Sequence, residues 1–173
     1  MTIEQLNEAS AEDAAAALTR CCGATAWVRA MLAARPFENP AALHAAADAC
    51  AGRLGEADWL EAFSHHPRIG DVSSLRARFA NTAAWAGGEQ AGAATAGDDV
   101  LAALATGNRE YEERFGFLFI VCATGRGAGE MLALLRERLP NDRAQELRTA
   151  AAQQLQITHL RLDKLLSENG RES

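Results

Sequence analysis

Histidine is scarce in this chain, with four in 173 residues, and two of them stand together in His65-His66-Pro67. Proline disfavours helical geometry at the residue before it, so Pro67 fixes how His66 leaves a preceding helix. An imidazole held in that way can serve as a general acid or base near neutral pH. The same tripeptide also reads as two polar loop residues, and taken alone it leaves both readings open. A metal centre would need further ligands at helical spacing, and none accompanies this pair. Glu89 and Gln90 are the strongly polar side chains between Trp85 and Gly97, in a stretch whose glycines would let backbone and ligand approach closely. A carboxylate there is either solvated or functional. Arg161 lies four residues after Ile157 and four before Leu165, which places a guanidinium on a partly apolar helical stripe. It could hold an anionic or polar ligand at two points, close an internal salt bridge, or snorkel to the surface.

Other residues of these types carry no functional reading. His44 and His159 sit in helical patterns, and His159 is spaced to pair with Asp163. Gly125, Gly127 and Gly129 imitate a phosphate loop only loosely, because no Gly-Lys-Ser/Thr follows them. Cys21 and Cys22 are adjacent while Cys50 and Cys122 lie far off, a spacing that fits neither a disulfide framework nor a zinc knuckle. They read as reduced, buried thiols. No Cys-x-x-Cys pair is present, which excludes the thiol exchange that small helical proteins perform with one.

The elements that must position the candidates are helical. Thirty-nine alanines and 20 leucines face only four valines and four isoleucines, a balance that favours an all-α fold. Thr2-x-x-Gln5 has capping-box spacing, and Ser10 precedes a helical run that Gly23 closes. A third helix runs from about Ala24 to Ala34, and Asn39 with Pro40 opens a fourth that ends near Gly55. Trp59, Leu60 and Phe63 mark a short fifth helix, and His65 to Gly70 form the loop after it. Val72, Leu75 and Phe79 lie in an amphipathic segment, and Asp98 can cap a helix that stops at Gly116. Phe117 to Cys122 reads as a buried extended segment, since no second β-rich run exists to pair with it. A helix through Leu139 follows, then Pro140, and a long C-terminal helix from about Asp142 to Leu166.

Length and charge narrow the function classes. A chain of this size with 49% hydrophobic residues fits one domain over 1–173, a single-domain multi-helix bundle that needs no disulfide or metal to be stable. Its net charge of -6 is spread, with no basic cluster, which argues against a nucleic-acid partner. No apolar run approaches the roughly 20 residues of a membrane span, and the N-terminus lacks the pattern of a signal peptide. A cytoplasmic protein without membrane partners is the expectation.

The chain as a whole resembles the family of decarboxylases that act on 2-oxo-4-hydroxy-4-carboxy-5-ureidoimidazoline (OHCU). The resemblance rests on Cys21-Cys22-Gly23-Ala24 with Trp27, Met31 and Arg35-Pro36-Phe37; on His66-Pro67-Arg68-Ile69-Gly70-Asp71; on Trp85 with Glu89-Gln90; and on Asn108, Tyr111 and Arg114-Phe115-Gly116-Phe117. It continues through Phe119-Ile120-Val121-Cys122-Ala123-Thr124-Gly125-Arg126, Arg138-Leu139 with Asn141 and Glu146-Leu147, and Ile157 with Leu160-Arg161-Leu162 and Lys164-Leu165. Each fragment is weak alone, but their order is specific.

The resemblance implies an all-helical, cofactor-free and metal-free carboxy-lyase, usually a homodimer. Its substrate would be OHCU and its product (S)-allantoin, in the last step of urate oxidation during purine breakdown. Carried over by residue, it implies catalytic His66 and Glu89, and substrate contacts from Pro67, Gln90, Phe119, Ile120, Val121 and Arg161. Backbone amides of the segment from Phe119 to Val121 would hold a substrate carbonyl oxygen. Members of the family commonly have serine three residues before the glutamate, where this chain has Ala86.

Overall fold

The computed structural model of the protein describes residues 1–68, 72–76 and 91–167. Among them the regular elements are all α-helices, as the composition requires. They are α1 (Ile3–Glu8), α2 (Ala11–Cys21), α3 (Thr25–Ala33), α4 (Pro40–Ala51), α5 (Glu56–Ser64), helical residues 72–76 (α6), α7 (Ala91–Phe115), α8 (Ala128–Arg138) and α9 (Arg143–Ser167). The chain forms two compact units, one of Met1–His65 with Thr149–Ser173 and one of His66–Arg148. The boundary therefore falls between His65 and His66, and again inside α9.

In the first unit the sequence signals for helix starts are realised in hydrogen bonds. The Thr2 hydroxyl accepts from the Gln5 amide at 3.2 Å while Gln5 Oε1 accepts from the Thr2 amide at 2.8 Å. Two of the orphan donors of α1 are thereby satisfied reciprocally. Ser10 Oγ accepts from the Asp13 amide at 3.0 Å, and Asn39 Oδ1 from the Ala42 amide at 2.9 Å, with Pro40 at the head of α4. The third helix lacks such a residue, because alanine stands at its cap. Its cap comes instead from α5, where Glu61 accepts the Thr25 amide at 3.0 Å and the Thr25 hydroxyl at 2.6 Å. Those bonds hold the Glu61 carboxyl below its usual range. Around α3, which packs on α2, α4 and α5, the core closes over Leu18, Trp27, Met31, Leu43 and Phe63. Cys21, Cys22 and Cys50 are buried free thiols and Cys122 is half-buried.

Two expected boundaries differ. The fourth helix stops at Ala51 rather than near Gly55, because Gly52 already caps it and Gly55 starts α5, its amide donating to Asp58 Oδ2 at 2.8 Å. In the second unit α7 already runs from Ala91, ahead of the proposed cap at Asp98. The alanines at 91, 93, 94 and 96 supply helix propensity that outweighs Gly92 and Gly97. The far end of α7 falls where expected, with Gly116 at φ 78 after Phe115, a left-handed conformation that glycine adopts without strain. The core of this unit gathers Leu75 of α6, Leu101, Leu104 and Ala105 of α7, Val121, and Met131, Leu132 and Leu135 of α8.

The part of α9 within the first unit is fixed at two places. The Met1 ammonium donates to the Leu165 carbonyl at 2.8 Å. Closer to the middle, His44 of α4 and His159 of α9 face each other with Nδ1 atoms 2.5 Å apart, ring planes 9° apart and centroids separated by 4.7 Å. With so short a nitrogen contact, that centroid separation sets the rings end to end rather than face to face. Asp163 Oδ1 lies 2.8 Å from His44 Nε2, and Asp48 Oδ1 lies 2.6 Å from His159 Nε2. His159 thus pairs across to α4 and not with Asp163 four residues on, because Asp163 is taken by His44. A hydrogen bond between the two Nδ1 atoms needs a proton on one of them, with the other as its acceptor.

This arrangement predicts a coupled pair. His44→Gln and His159→Gln should each destabilise the protein, and in a double-mutant cycle by urea denaturation the coupling should be about 0.5 to 3 kcal/mol. Additive losses would mean that the two rings do not share a proton.

Candidate active site

The arginine singled out in the sequence is seated by a helix end. The last turn of α2 leaves carbonyls without intrahelical partners. Two of these, at Arg20 and Cys21, each accept from Arg161 Nη1 at 3.4 Å. Bonds of that length are weak, yet a guanidinium here also lies at the negative end of the α2 dipole. Among the described residues no carboxylate pairs with Arg161, and its Nε and Nη2 donate to no protein acceptor. The internal salt bridge that the sequence left open is therefore not formed there. The side chain is half-buried, while its neighbours Thr158, Leu162 and Leu165 are buried.

Beneath it lies Cys22, whose thiol is pushed up by burial, against the opposing pull of the Ala24 amide, the Thr158 hydroxyl and the Arg161 charge. Thr158 itself donates to the Gln154 carbonyl at 2.9 Å. Such a thiol stays protonated and packs, as a nucleophile would not.

The end of α5 brings up the histidines. His65 caps α5 in near-helical geometry (φ -79, ψ -4), and its amide donates to Ala62 O at 3.3 Å. Its ring lies against Gly23, where an added Cβ would sit 2.4 Å from His65 Cγ, so a glycine is needed for this approach. His66 follows in a bend and is half-buried, and Pro67 after it is exposed. Helix α5 thus ends before Pro67 as its steric rule demands. In the second unit the neighbouring Arg68 pairs with Glu112 at the surface.

The segment after α7 contributes backbone. Residues 117–122 form no strand, and Phe117, Ile120 and Val121 are buried. What holds the segment is a set of polar side chains that sequence reasoning did not assign a role. Arg138, on the buried face of α8, donates from Nη1 to the Ile120 carbonyl at 2.8 Å. Its Nε and Nη2 reach Glu146 Oε1 at 2.7 and 2.5 Å. The Tyr111 hydroxyl donates to the same oxygen, and Asn141 Nδ2 to Glu146 Oε2 at 2.8 Å. Burial, aided by the Glu146 carboxylate, drives the Tyr111 hydroxyl far above its ordinary range, so it remains a donor. The guanidinium also lies 4.7 Å over the Phe119 ring. Farther on, Arg126 Nε donates to the Cys122 carbonyl at 3.2 Å.

Carbonyls of this segment are thus occupied by arginines, whereas the amides of Phe119, Ile120 and Val121 donate to no protein acceptor among the described residues. The arrangement leaves N–H donors for a ligand oxygen. A signal for the network was present in the sequence. Arg138 continues the apolar stripe of Met131 and Leu135, and Tyr111 is the only tyrosine of the chain.

Of the predicted site residues, Glu89 and Gln90 lie outside the described residues, as does Ala86. His66, Pro67, Phe119, Ile120 and Val121 belong to the second unit and Arg161 to the first.

Comparison with known proteins gives these features a common context. The family model described as OHCU decarboxylase matches residues 7–163. The uric acid degradation bifunctional protein TTL of Arabidopsis thaliana is 39% identical over 154 residues, 87% of this chain and 47% of the plant protein. A 2-oxo-4-hydroxy-4-carboxy-5-ureidoimidazoline decarboxylase of Amia calva is 42% identical over 59 residues, 34% of each chain. The matches thus span about half the length of the first relative and a third of the second. Among solved structures, an OHCU decarboxylase crystallised in the presence of (S)-allantoin is 34% identical, with a TM-score of 0.70 over 92% of this chain and 100% of its own. With a family match that runs through both units and a like fold over the full length of that structure, this chain belongs to the OHCU decarboxylase family.

Proposed function

We propose that the protein is a carboxy-lyase that converts OHCU to (S)-allantoin without a cofactor, as the last step of urate oxidation in purine breakdown. The observation that carries this reading is the likeness, over that protein's whole length, to an OHCU decarboxylase crystallised with (S)-allantoin. In this reading the two units act as one domain, the chain works as a homodimer, and its place is the cytoplasm. Among the described residues no helix is long and apolar enough to cross a membrane.

The substrate carries its own electron sink. Its carboxylate sits on a ring carbon next to a carbon double-bonded to nitrogen. As carbon dioxide leaves, the pair from the broken bond forms a new carbon–carbon double bond and the imine electrons move to nitrogen, which takes a proton. The 4-hydroxyl then becomes a carbonyl by losing its proton, and the neighbouring carbon gains one on a single face. The protein must orient the scissile bond, accept the hydroxyl proton and deliver a proton to that face.

His66 and Glu89 divide the two proton transfers. The half-buried position of His66, ahead of a proline that fixes the backbone, suits a placed acid or base. Arg161 grips a carboxylate or urea group with the donors that its α2 seat leaves over. Pro67 and Gln90 add substrate contacts, and the amides of Phe119, Ile120 and Val121 hold a substrate oxygen. Where relatives commonly have a serine hydroxyl, Ala86 offers none, so water takes its place or affinity falls.

His66→Asn should abolish accelerated (S)-allantoin formation with the helical fold intact, at a loss of about 10²- to 10⁴-fold. The assay generates the intermediate from urate and follows allantoin chirality by circular dichroism, since spontaneous decay gives the racemate. A variant with native dichroism and most of its activity would remove His66 from the mechanism.

Arg161→Lys keeps the charge but loses the planar fork. Weaker binding and a lower enantiomeric excess are expected. An unchanged KM together with unchanged stereoselectivity would reduce Arg161 to an anchor for the end of α2.

Because the electron sink belongs to the substrate, chelators should leave the rate unchanged. Activity lost to EDTA and restored by a divalent ion would overturn the cofactor-free reading.

A further inference from the structure

The Arg138 network does more than close a core, because it is attached to one of the peptides from which the proposed site takes its donors. In a trans peptide the C=O and the following N–H point in opposite directions across one rigid plane. Arg138 Nη1 holds the Ile120 carbonyl at 2.8 Å, so the Val121 N–H of the same peptide is aimed away from the guanidinium. That N–H has no acceptor among the described residues. The guanidinium is itself held firmly, by Glu146 Oε1 through Nε and Nη2, by the Tyr111 hydroxyl at 3.2 Å, and by the face of Phe119.

We propose that Arg138 is a positioning residue for the decarboxylation: through the Ile120 carbonyl it fixes the Ile120–Val121 peptide plane and polarises it, making the Val121 N–H a stronger donor to the substrate oxygen. The inference rests on the function proposed above. A cation hydrogen-bonded to a peptide oxygen draws electron density from the amide nitrogen and strengthens the donor on the other side, as hydrogen bonds in series reinforce one another. The effect grows as negative charge builds on the bound oxygen, so it favours the transition state over bound substrate. Glu146 serves a second end, since it balances the buried guanidinium and prevents it from turning away from Ile120. A structural role alone would ask only that the charges be paired, and the contact to a backbone carbonyl inside the donor segment would be incidental.

The test compares the wild-type protein with Arg138→Lys and with a double variant, Arg138→Met with Glu146→Leu, in which no buried charge is left unpaired. All three are checked for native dichroism and cooperative unfolding, then assayed for (S)-allantoin formation with kcat and KM resolved. Removing an oriented donor from such a site lowers kcat by about 10²- to 10³-fold, and a misaimed, unpolarised donor should give about 10- to 100-fold. KM should change by less than about threefold, since loss of an interaction made mainly in the transition state falls on kcat. Arg138→Lys keeps the charge beside Glu146 but loses the planar fork, so it should not recover kcat. In the wild-type protein, the Val121 amide resonance should move downfield on addition of (S)-allantoin, and in the folded variants that shift should shrink.

A folded variant with wild-type kcat and an unchanged Val121 shift would confine Arg138 to the core and overturn the inference. If neither variant folds, the wild-type amide decides: a Val121 resonance indifferent to (S)-allantoin overturns it equally. A wild-type protein that makes no (S)-allantoin would instead refute the proposed function, a result distinct from active wild type with active variants.

Discussion

The second unit depends on one buried ion pair. Glu146 is fully buried and Arg138 nearly so, and taking two charges out of water costs several kcal/mol each unless their remaining hydrogen-bonding capacity is met. Here it is met in detail. Tyr111 and Asn141 complete the carboxylate, and the Ile120 carbonyl together with the Phe119 ring completes the guanidinium. Replacing such a pair with apolar residues of the same volume often costs no stability, so pair energy alone does not account for it. What apolar side chains could not do is hold a backbone carbonyl of an irregular segment in one orientation. Through this contact the helices α7, α8 and the start of α9 shape a stretch that has no strand partner to shape it.

Helix termini do comparable work in the first unit. The unsatisfied carbonyls at the end of α2 seat Arg161, and the residues just after them leave room, at Gly23, for the His65 ring. One turn of chain thus sets a guanidinium and the residue that precedes His66. The His44 and His159 pair fixes the stretch of α9 that carries Arg161 against α4. These are modest interactions singly, of the order of 1 kcal/mol for an ordinary hydrogen bond, and their value lies in direction more than in strength.

The proposed chemistry suits such a scaffold. A substrate that holds its own electron sink leaves the protein with orientation, two proton transfers and stabilisation of charge on oxygen. None of these requires a strongly perturbed group, and the one strongly shifted hydroxyl, at Tyr111, serves the Arg138 network as a permanently protonated donor. Cys22 illustrates the contrast. It lies beside Arg161, yet burial keeps its thiol neutral and leaves it a packing residue.

Local signals in the sequence determined much of this. Alanine and leucine in excess over valine and isoleucine set an all-helical fold, and Thr2, Ser10, Asn39 with Pro40, and Gly116 placed helix ends, because capping and left-handed turns are decided by a few adjacent residues. His66 ahead of Pro67, and Arg161 on its stripe, were legible for the same reason. The capping signal at Asp98 misplaced the start of α7, because the helix propensity of the alanines before it carries the helix back to Ala91. The remainder involves partners far apart in the chain. Glu61 caps a helix that begins 36 residues earlier, His44 meets His159 across 115 residues, and Arg138 reaches back 18 residues to a carbonyl. Residue spacing carries no record of such contacts, because they exist only once packing has brought separate elements together. The sequence therefore determined which helices form and which side chains could do chemistry, and tertiary structure alone decided that Arg161 has no carboxylate partner among the described residues and that a buried arginine holds the backbone of the donor segment.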